Sequence, residues 1–205
     1  MPEFYHDSVT DRSFRFLKEL GKSYKFVLIG GWAVFLYTHS LKSKDIDLVL
    51  DYDQLGKLQE KFAVNKNDRL KKYEIKMGEF DVDIYVVHYS QLGLPSEFIV
   101  KSARAREGFF VPSLEALFLL KLNAWQSRKG SIKGRKDEID ILSLALLEEF
   151  DWPGYLETVK QFKLKEMHES FLSFLKKTKH VPELNLNEQQ MSRFKKKIGQ
   201  NIKIA

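Results

Sequence analysis

The chain has 205 residues, 43% of them hydrophobic and 13% aromatic, enough apolar material to bury a real core in one domain or one domain plus a helical appendage. It contains no cysteine, which excludes disulfides and thiolate metal sites and agrees with a cytoplasmic location. The longest apolar run, Phe26 to Tyr37, is interrupted by two glycines and falls far short of the ~20 residues a bilayer-spanning helix needs, so no membrane role is expected. Met1 to Asp7 lacks the basic start and apolar stretch of a secretion signal. The net charge is +6, and residues 151–205 hold most of it, with 11 Lys/Arg against 6 Asp/Glu.

Taken in order, Ser8 to Lys22 predicts a first helix with Phe14, Leu17 and Leu20 on one face and Gly21 near its end. A β-branched and aromatic run, Phe26–Ile29, predicts a strand that breaks at Gly30-Gly31 into a short apolar helix from Trp32 to Tyr37. A polar loop with Ser40, Ser43 and Lys44 leads to a second strand, Asp45–Leu50. Gln54 to Phe62 reads as a surface helix and Ala63 to Asn67 as a short strand. Arg69–Lys76 and Glu79–Val87 form a hairpin turning at Met77-Gly78. Gly93 to Pro95 is loop, and Gly108–Val111 is a short strand stopped by Pro112. From Ser113, a good N-cap, the period becomes helical. Asp151-Trp152-Pro153-Gly154 marks a helix break, followed by helices over Tyr155–Phe162, Lys165–Lys177 and Asn187–Ile198. Asn187 with Gln190 three residues on resembles a capping box.

The strand Asp45-Ile46-Asp47-Leu48 carries the chemistry. Residues two apart on a strand share a face, so Asp45 and Asp47 project together while Ile46 and Leu48 face the core. Adjacent carboxylates repel, and a cation between them relieves the repulsion. Mg²⁺ fits because it takes oxygen ligands and shares its shell with substrate phosphates. A solvated edge is the bland alternative for an isolated pair of this kind. An EF-hand loop is excluded, because Val49 and Leu50 stand where an acid and a glycine are required. Gly30-Gly31 is no dinucleotide fingerprint, since the later glycine of that motif is absent.

The combination of strand, Gly-Gly, short helix, Ser/Lys loop and D-I-D strand resembles the nucleotidyltransferase superfamily typified by DNA polymerase beta. The resemblance implies an α+β (mixed α/β) fold: a mixed β-sheet flanked by helices, then a C-terminal helical region. The catalytic core would be residues 1–112 and the helical region 113–205. It implies that Gly30 and Gly31 approach a triphosphate, that Asp45 and Asp47 hold metal ions, and that a third acid follows on a later strand. Asp83 is taken as that acid because an apolar run follows it; Asp81, on the same face, is the runner-up.

A narrower resemblance, to the AbiEii-type toxin and related small nucleotidyltransferases, rests on Lys121 and on Lys136-Asp137 within Arg135–Leu142, with Arg128 a looser match. In that branch such residues approach the nucleotide. Read from residues alone, Lys121 in its apolar stripe is either snorkelling to solvent or aimed at an anion, with the first favoured, and the basic run around it is a solvated loop. Many members have R-x-T-K-D before the acids, where this chain has Lys42-Ser43-Lys44-Asp45, so Ser43 would replace the threonine hydroxyl and Lys42 the arginine charge. The implied activity is metal-dependent transfer of a nucleoside monophosphate from a nucleoside triphosphate such as ATP to an acceptor hydroxyl on RNA or tRNA, a small molecule or a protein. It would use two Mg²⁺ ions, with Mn²⁺ as the alternative. Ser43, Lys44, Lys121, Lys136 and Asp137 would join the glycines in binding the nucleotide. The basic helix with Arg193, Lys195, Lys196 and Lys197 is a candidate RNA face, and an antitoxin-like protein is a candidate partner.

Overall fold

The computed structural model describes residues 6–202. The chain divides into two compact units, which among the described residues are 6–113 and 114–202.

The first unit is built on one sheet of seven strands. They are β1 (Val27–Ile29), β2 (Ile46–Leu50), β3 (Val64–Asn67), β4 (Lys72–Lys76), β5 (Asp81–Val86), β6 (Arg104–Arg106) and β7 (Phe109–Val111), in the spatial order β3-β4-β5-β2-β1-β7-β6. The sheet is mixed: β2 runs antiparallel to β1 and parallel to β5. This central position explains the composition of β2, whose Ile46, Leu48, Val49 and Leu50 are all buried. Each such side chain contributes roughly 1.5–3 kcal/mol through burial. The partner strand β5 alternates strictly, with Val82, Ile84 and Val86 fully buried and Asp81, Asp83 and Tyr85 on the other face.

Helix α1 (Asp7–Ser23) buries Leu17 and Leu20 and is tied to α2 (Gly30–Thr38) by the Trp32 indole, which donates to Ser13 Oγ at 3.0 Å. The helix α2 begins at Gly30, two residues before its predicted start, because Gly30 itself makes the turn with φ of +68°. At the other end, Arg106 donates to the carbonyls of Leu36 and Tyr37, placing a cation on the carbonyl end of the helix. Helix α3 (Tyr52–Gln59) is capped by the Asp51 carboxylate, which accepts from Gln54 N–H at 2.8 Å. The sequence reading missed α4 (Ser96–Lys101) and β6, both short and poor in periodic signal. It also began the fourth strand too early, since residues 68–71 form a turn with Lys71 at φ of +50°.

The second unit is helical: α5 (Leu114–Arg128), α6 (Ile132–Ala145), α7 (Trp152–Gln161), α8 (Lys165–Lys177) and α9 (Glu188–Ile202). Its core is aromatic. The ring of Phe118 lies 5.0 Å from Phe171, 5.1 Å from Phe150 and 5.3 Å from Tyr155. The expected break at Asp151 is also a helix start, since its carboxylate accepts from Gly154 N–H with Pro153 in the first turn. Asn187 and Gln190 form a reciprocal capping box, with both hydrogen bonds at 2.9 Å. Among the described residues no helix is long and apolar enough to cross a membrane.

Candidate active site

The register of the sheet decides which acids meet. In the parallel pair β2–β5, Asp47 lies opposite Asp83, with Ile46 opposite Val82 and Leu48 opposite Ile84. The apolar partners take one face and the two aspartates the other. Asp45 precedes β2 on the same face, and its Oδ1 accepts the backbone N–H of Asp81 at 3.2 Å. The Ser43 hydroxyl donates to the Asp45 carbonyl at 3.2 Å, and the Lys44 ammonium lies 3.9 Å from Asp45 Oδ1. On the far side of β2, Ile29 pairs with Asp47, which brings the Gly30 turn against that aspartate. A Cβ built on Gly30 would overlap the Asp47 carboxylate, so both the positive φ and the contact demand glycine. Gly31 follows, buried, in the first turn of α2.

The hairpin β4–β5 adds a third column of charge. Glu74 lies opposite Asp83, and Lys76 lies opposite Asp81. The Lys72 ammonium, on a side chain only 11% exposed, sits 2.6 Å from Asp83 Oδ2 and 2.9 Å from Glu74 Oε1. Lys76 pairs with Asp81 at 2.8 Å in a far more exposed position. Burial pushes the Asp83 carboxyl above the usual carboxylate range, with Glu74 and Asp45 adding to the rise and Lys72 opposing it. Burial also works against the Lys72 charge, but the two carboxylates outweigh it and its pKa is raised. The two acids on β5 thus differ: Asp83 stands beside Asp47 in a desolvated setting, while Asp81 is held by an exposed lysine.

The donor set of Asp45, Asp47 and Asp83 is all carboxylate oxygen, which suits Mg²⁺ or Mn²⁺. The Asp47–Asp83 register sets two of these carboxylates side by side, with Asp45 on the same face. Among the described residues, however, no group of three or more acid, histidine or cysteine side chains is arranged to hold a metal ion. In this arrangement Lys72 takes one Asp83 oxygen, and the Asp81 N–H takes one of Asp45. Lys42, given the role of a phosphate-binding charge by sequence, instead pairs with Asp7 and Asp11 on α1 at 3.0 and 3.2 Å.

The other sequence-predicted residues gather in the helical unit. Lys121 is 6% exposed and pairs with Asp140 at 2.7 Å and Asp137 at 3.5 Å. The snorkelling reading of Lys121 is therefore wrong: its stripe faces inward, and the ammonium finds carboxylates rather than solvent. Arg128 holds Asp137 with two hydrogen bonds, at 2.6 and 3.0 Å. Lys136, 7% exposed, lies 3.5 Å from Asp140 Oδ2. Burial lowers its pKa, Asp140 opposes that shift and Lys121 adds to it. The basic run is thus no solvated loop but two helices joined by a turn at Lys129-Gly130. Three cations here share two buried carboxylates. Asp140, fully buried, was not singled out from sequence; its position three residues after Asp137 on an apolar helix face was the available signal. Lys72 and Glu74 were also missed, although both arms of the hairpin carry charge at alternate positions.

The family model for nucleotidyltransferases of unknown function, DUF6036, matches residues 9–181. The chain belongs to this family. The match to DUF6036 runs from α1 through the sheet and most of the helical unit, and it does not single out the AbiEii-type branch. Among curated proteins no relative matches the sequence. Two crystal structures from Helicobacter pylori share the mixed α/β fold. A candidate nucleotidyltransferase is 15% identical with a TM-score of 0.54, over 97% of this chain and 96% of that one. The protein JHP933 is 17% identical with a TM-score of 0.51, over 97% of this chain and 93% of that one.

Proposed function

We propose that this DUF6036 protein transfers a nucleoside monophosphate from a nucleoside triphosphate to an acceptor hydroxyl, with Asp45, Asp47 and Asp83 as the acid set. The observation that carries the reading is the pairing of Asp47 with Asp83 beside a glycine turn that leaves no room for a side chain. Asp47 and Asp83, with Asp45, would hold two divalent cations. When bound, such ions offset triphosphate charge and lower the pKa of the attacking hydroxyl. The chain's own groups do the rest. Gly30 and Gly31 offer backbone N–H groups at the start of α2, the favourable end of a helix for phosphates. The Ser43 hydroxyl holds the loop that enters β2, and Lys44 adds positive charge beside Asp45. The acceptor oxygen bonds to the α-phosphorus as the bond to the bridging oxygen breaks, and pyrophosphate leaves with that electron pair. Asp83, in register with Asp47, is the carboxylate proposed to take the hydroxyl proton.

In the helical unit, Lys121, Lys136 and Asp137 extend the proposal to the nucleotide: their charged groups are held close together, with Lys121 3.5 Å from Asp137 and both lysines at Asp140. Their order also supports the finer likeness to AbiEii-type toxins, for which growth arrest on expression, relieved by a partner protein, is the expected phenotype. The exposed Arg193, Lys196 and Lys197 on α9 favour an RNA acceptor over a neutral small molecule. The test is incubation with each labelled nucleoside triphosphate, Mg²⁺ and total RNA. Label should enter RNA with the wild type and not with Asp47→Asn of unchanged circular dichroism. Undiminished transfer by that variant overturns the acid assignment, and nucleotide binding without transfer to any acceptor favours a non-catalytic binding module.

A further inference from the structure

Lys72 holds a place that the transfer chemistry does not explain. Its ammonium is nearly excluded from solvent and bridges two acids, Asp83 at 2.6 Å and Glu74 at 2.9 Å. Asp83 is the acid that stands in register with Asp47. A positive charge at hydrogen-bond distance from a carboxylate competes with any other cation for that oxygen. Removing one partner from a pair this buried leaves the remaining charge at high cost, so a lysine displaced from Asp83 needs another carboxylate. Glu74 provides it without movement of the backbone, since it lies directly opposite Asp83 across the hairpin and already accepts from Lys72.

We propose that Lys72 is a resident counter-ion latch on Asp83, which a divalent cation must displace and which Glu74 then retains. The latch rests on the acid assignment above and adds to it: metal affinity is set by the β4 hairpin as well as by the acids that would bind the ion. The two hairpin residues should then act in opposite directions. Lys72→Met, which keeps length and removes charge, should tighten metal binding. Glu74→Gln, which removes the second resting place, should weaken it.

Mn²⁺ titration of the full chain, followed by electron paramagnetic resonance of the free ion, reads binding without reference to turnover. Lys72→Met is expected to bind Mn²⁺ at least tenfold more tightly than the wild type, and Glu74→Gln at least threefold more weakly. Lys72→Arg, which keeps the charge, should stay closer to the wild type than Lys72→Met. If Lys72→Met loses its folded circular dichroism, the Glu74→Gln titration decides alone. Unchanged affinity in Glu74→Gln, or affinity in a folded Lys72→Met no tighter than wild type, overturns the latch while leaving the acid site standing. No binding by wild type or Lys72→Met, with Asp47→Asn behaving the same, overturns both.

Discussion

Replacing Lys136 by Met tests whether the buried charges of the helical unit were arranged for stability. Lys136 is 7% exposed, and its nearest acid, Asp140 Oδ2, is 3.5 Å away and already engaged at 2.7 Å by Lys121. Its burial is therefore poorly repaid, and replacing such a charge by an apolar side chain of similar length is neutral or stabilising by roughly 1–2 kcal/mol. Asp140→Asn is the contrast. It leaves Lys121 and Lys136 without the carboxylate both face, at a cost of roughly 3–5 kcal/mol. Urea unfolding followed by tryptophan fluorescence reports on the unit, because two of the three tryptophans, Trp125 and Trp152, lie within it and only Trp32 lies in the first unit. The Lys136 pKa is lowered in the folded state, so its penalty is present where the unfolded lysine is charged and fades as pH rises toward the ordinary lysine value. The gain from Lys136→Met should accordingly shrink between neutral pH and pH ~10.5. The same variant is expected to bind nucleoside triphosphate at least tenfold more weakly. A loss of more than about 2 kcal/mol on Lys136→Met at neutral pH refutes the argument, because the lysine would then be a net stabiliser.

Gly30→Ala should cost about 1–2 kcal/mol from its left-handed φ alone, and more from overlap with the Asp47 carboxylate, and it should abolish nucleotidyl transfer. Gly56→Ala on α3, where a Cβ meets nothing within 4 Å, is the control and should gain up to ~1 kcal/mol; thermal melts of the pair and a labelled-nucleotide assay separate the two outcomes. His168 sits 3.0 Å from the Tyr155 hydroxyl, and burial lowers its pKa, so the folded state favours the neutral ring. The stability this gives is complete above the ordinary histidine value of ~6.5 and is lost as pH falls through the lower folded pKa. Chemical denaturation at pH 7.5 and 5 should show a larger acid loss for the wild type than for His168→Gln, and equal losses would remove His168 as the cause.

Much of the fold was legible because its signals are local. The Phe26–Ile29 run, the glycine break and the alternation of Asp81–Val86 each fix an element from a few neighbouring residues. The Asn187–Gln190 capping box was readable for the same reason. Elements of three to six residues, α4 and β6, passed unnoticed because so short a stretch completes too few turns or alternations to show a period. The site needed more than period. Alternation placed Asp81 and Asp83 on one face, but only the β2–β5 register puts Asp83 beside Asp47, and register between strands 36 residues apart is set by tertiary packing.

The two lysines that sequence reasoning misread or passed over, Lys121 and Lys72, make the same physical point from opposite sides. Each is long enough to reach solvent, so an apolar neighbourhood suggests snorkelling. Each instead lies within 2.7 Å of a carboxylate, on side chains 8% and 11% exposed. An ammonium gives up hydration on this scale only where carboxylates replace it. For Lys121 those carboxylates come from the next helix, and for Lys72 one comes from the paired strand. Both lysines thus mark where a buried ammonium of one element meets a carboxylate of its neighbour. Both convergences include residues independently assigned to nucleotide or metal by motif, Asp137 in one and Asp83 in the other. Charge kept in such places is costly to stability, and the proposed action of these acids and lysines on an added ion is the reading that accounts for the cost.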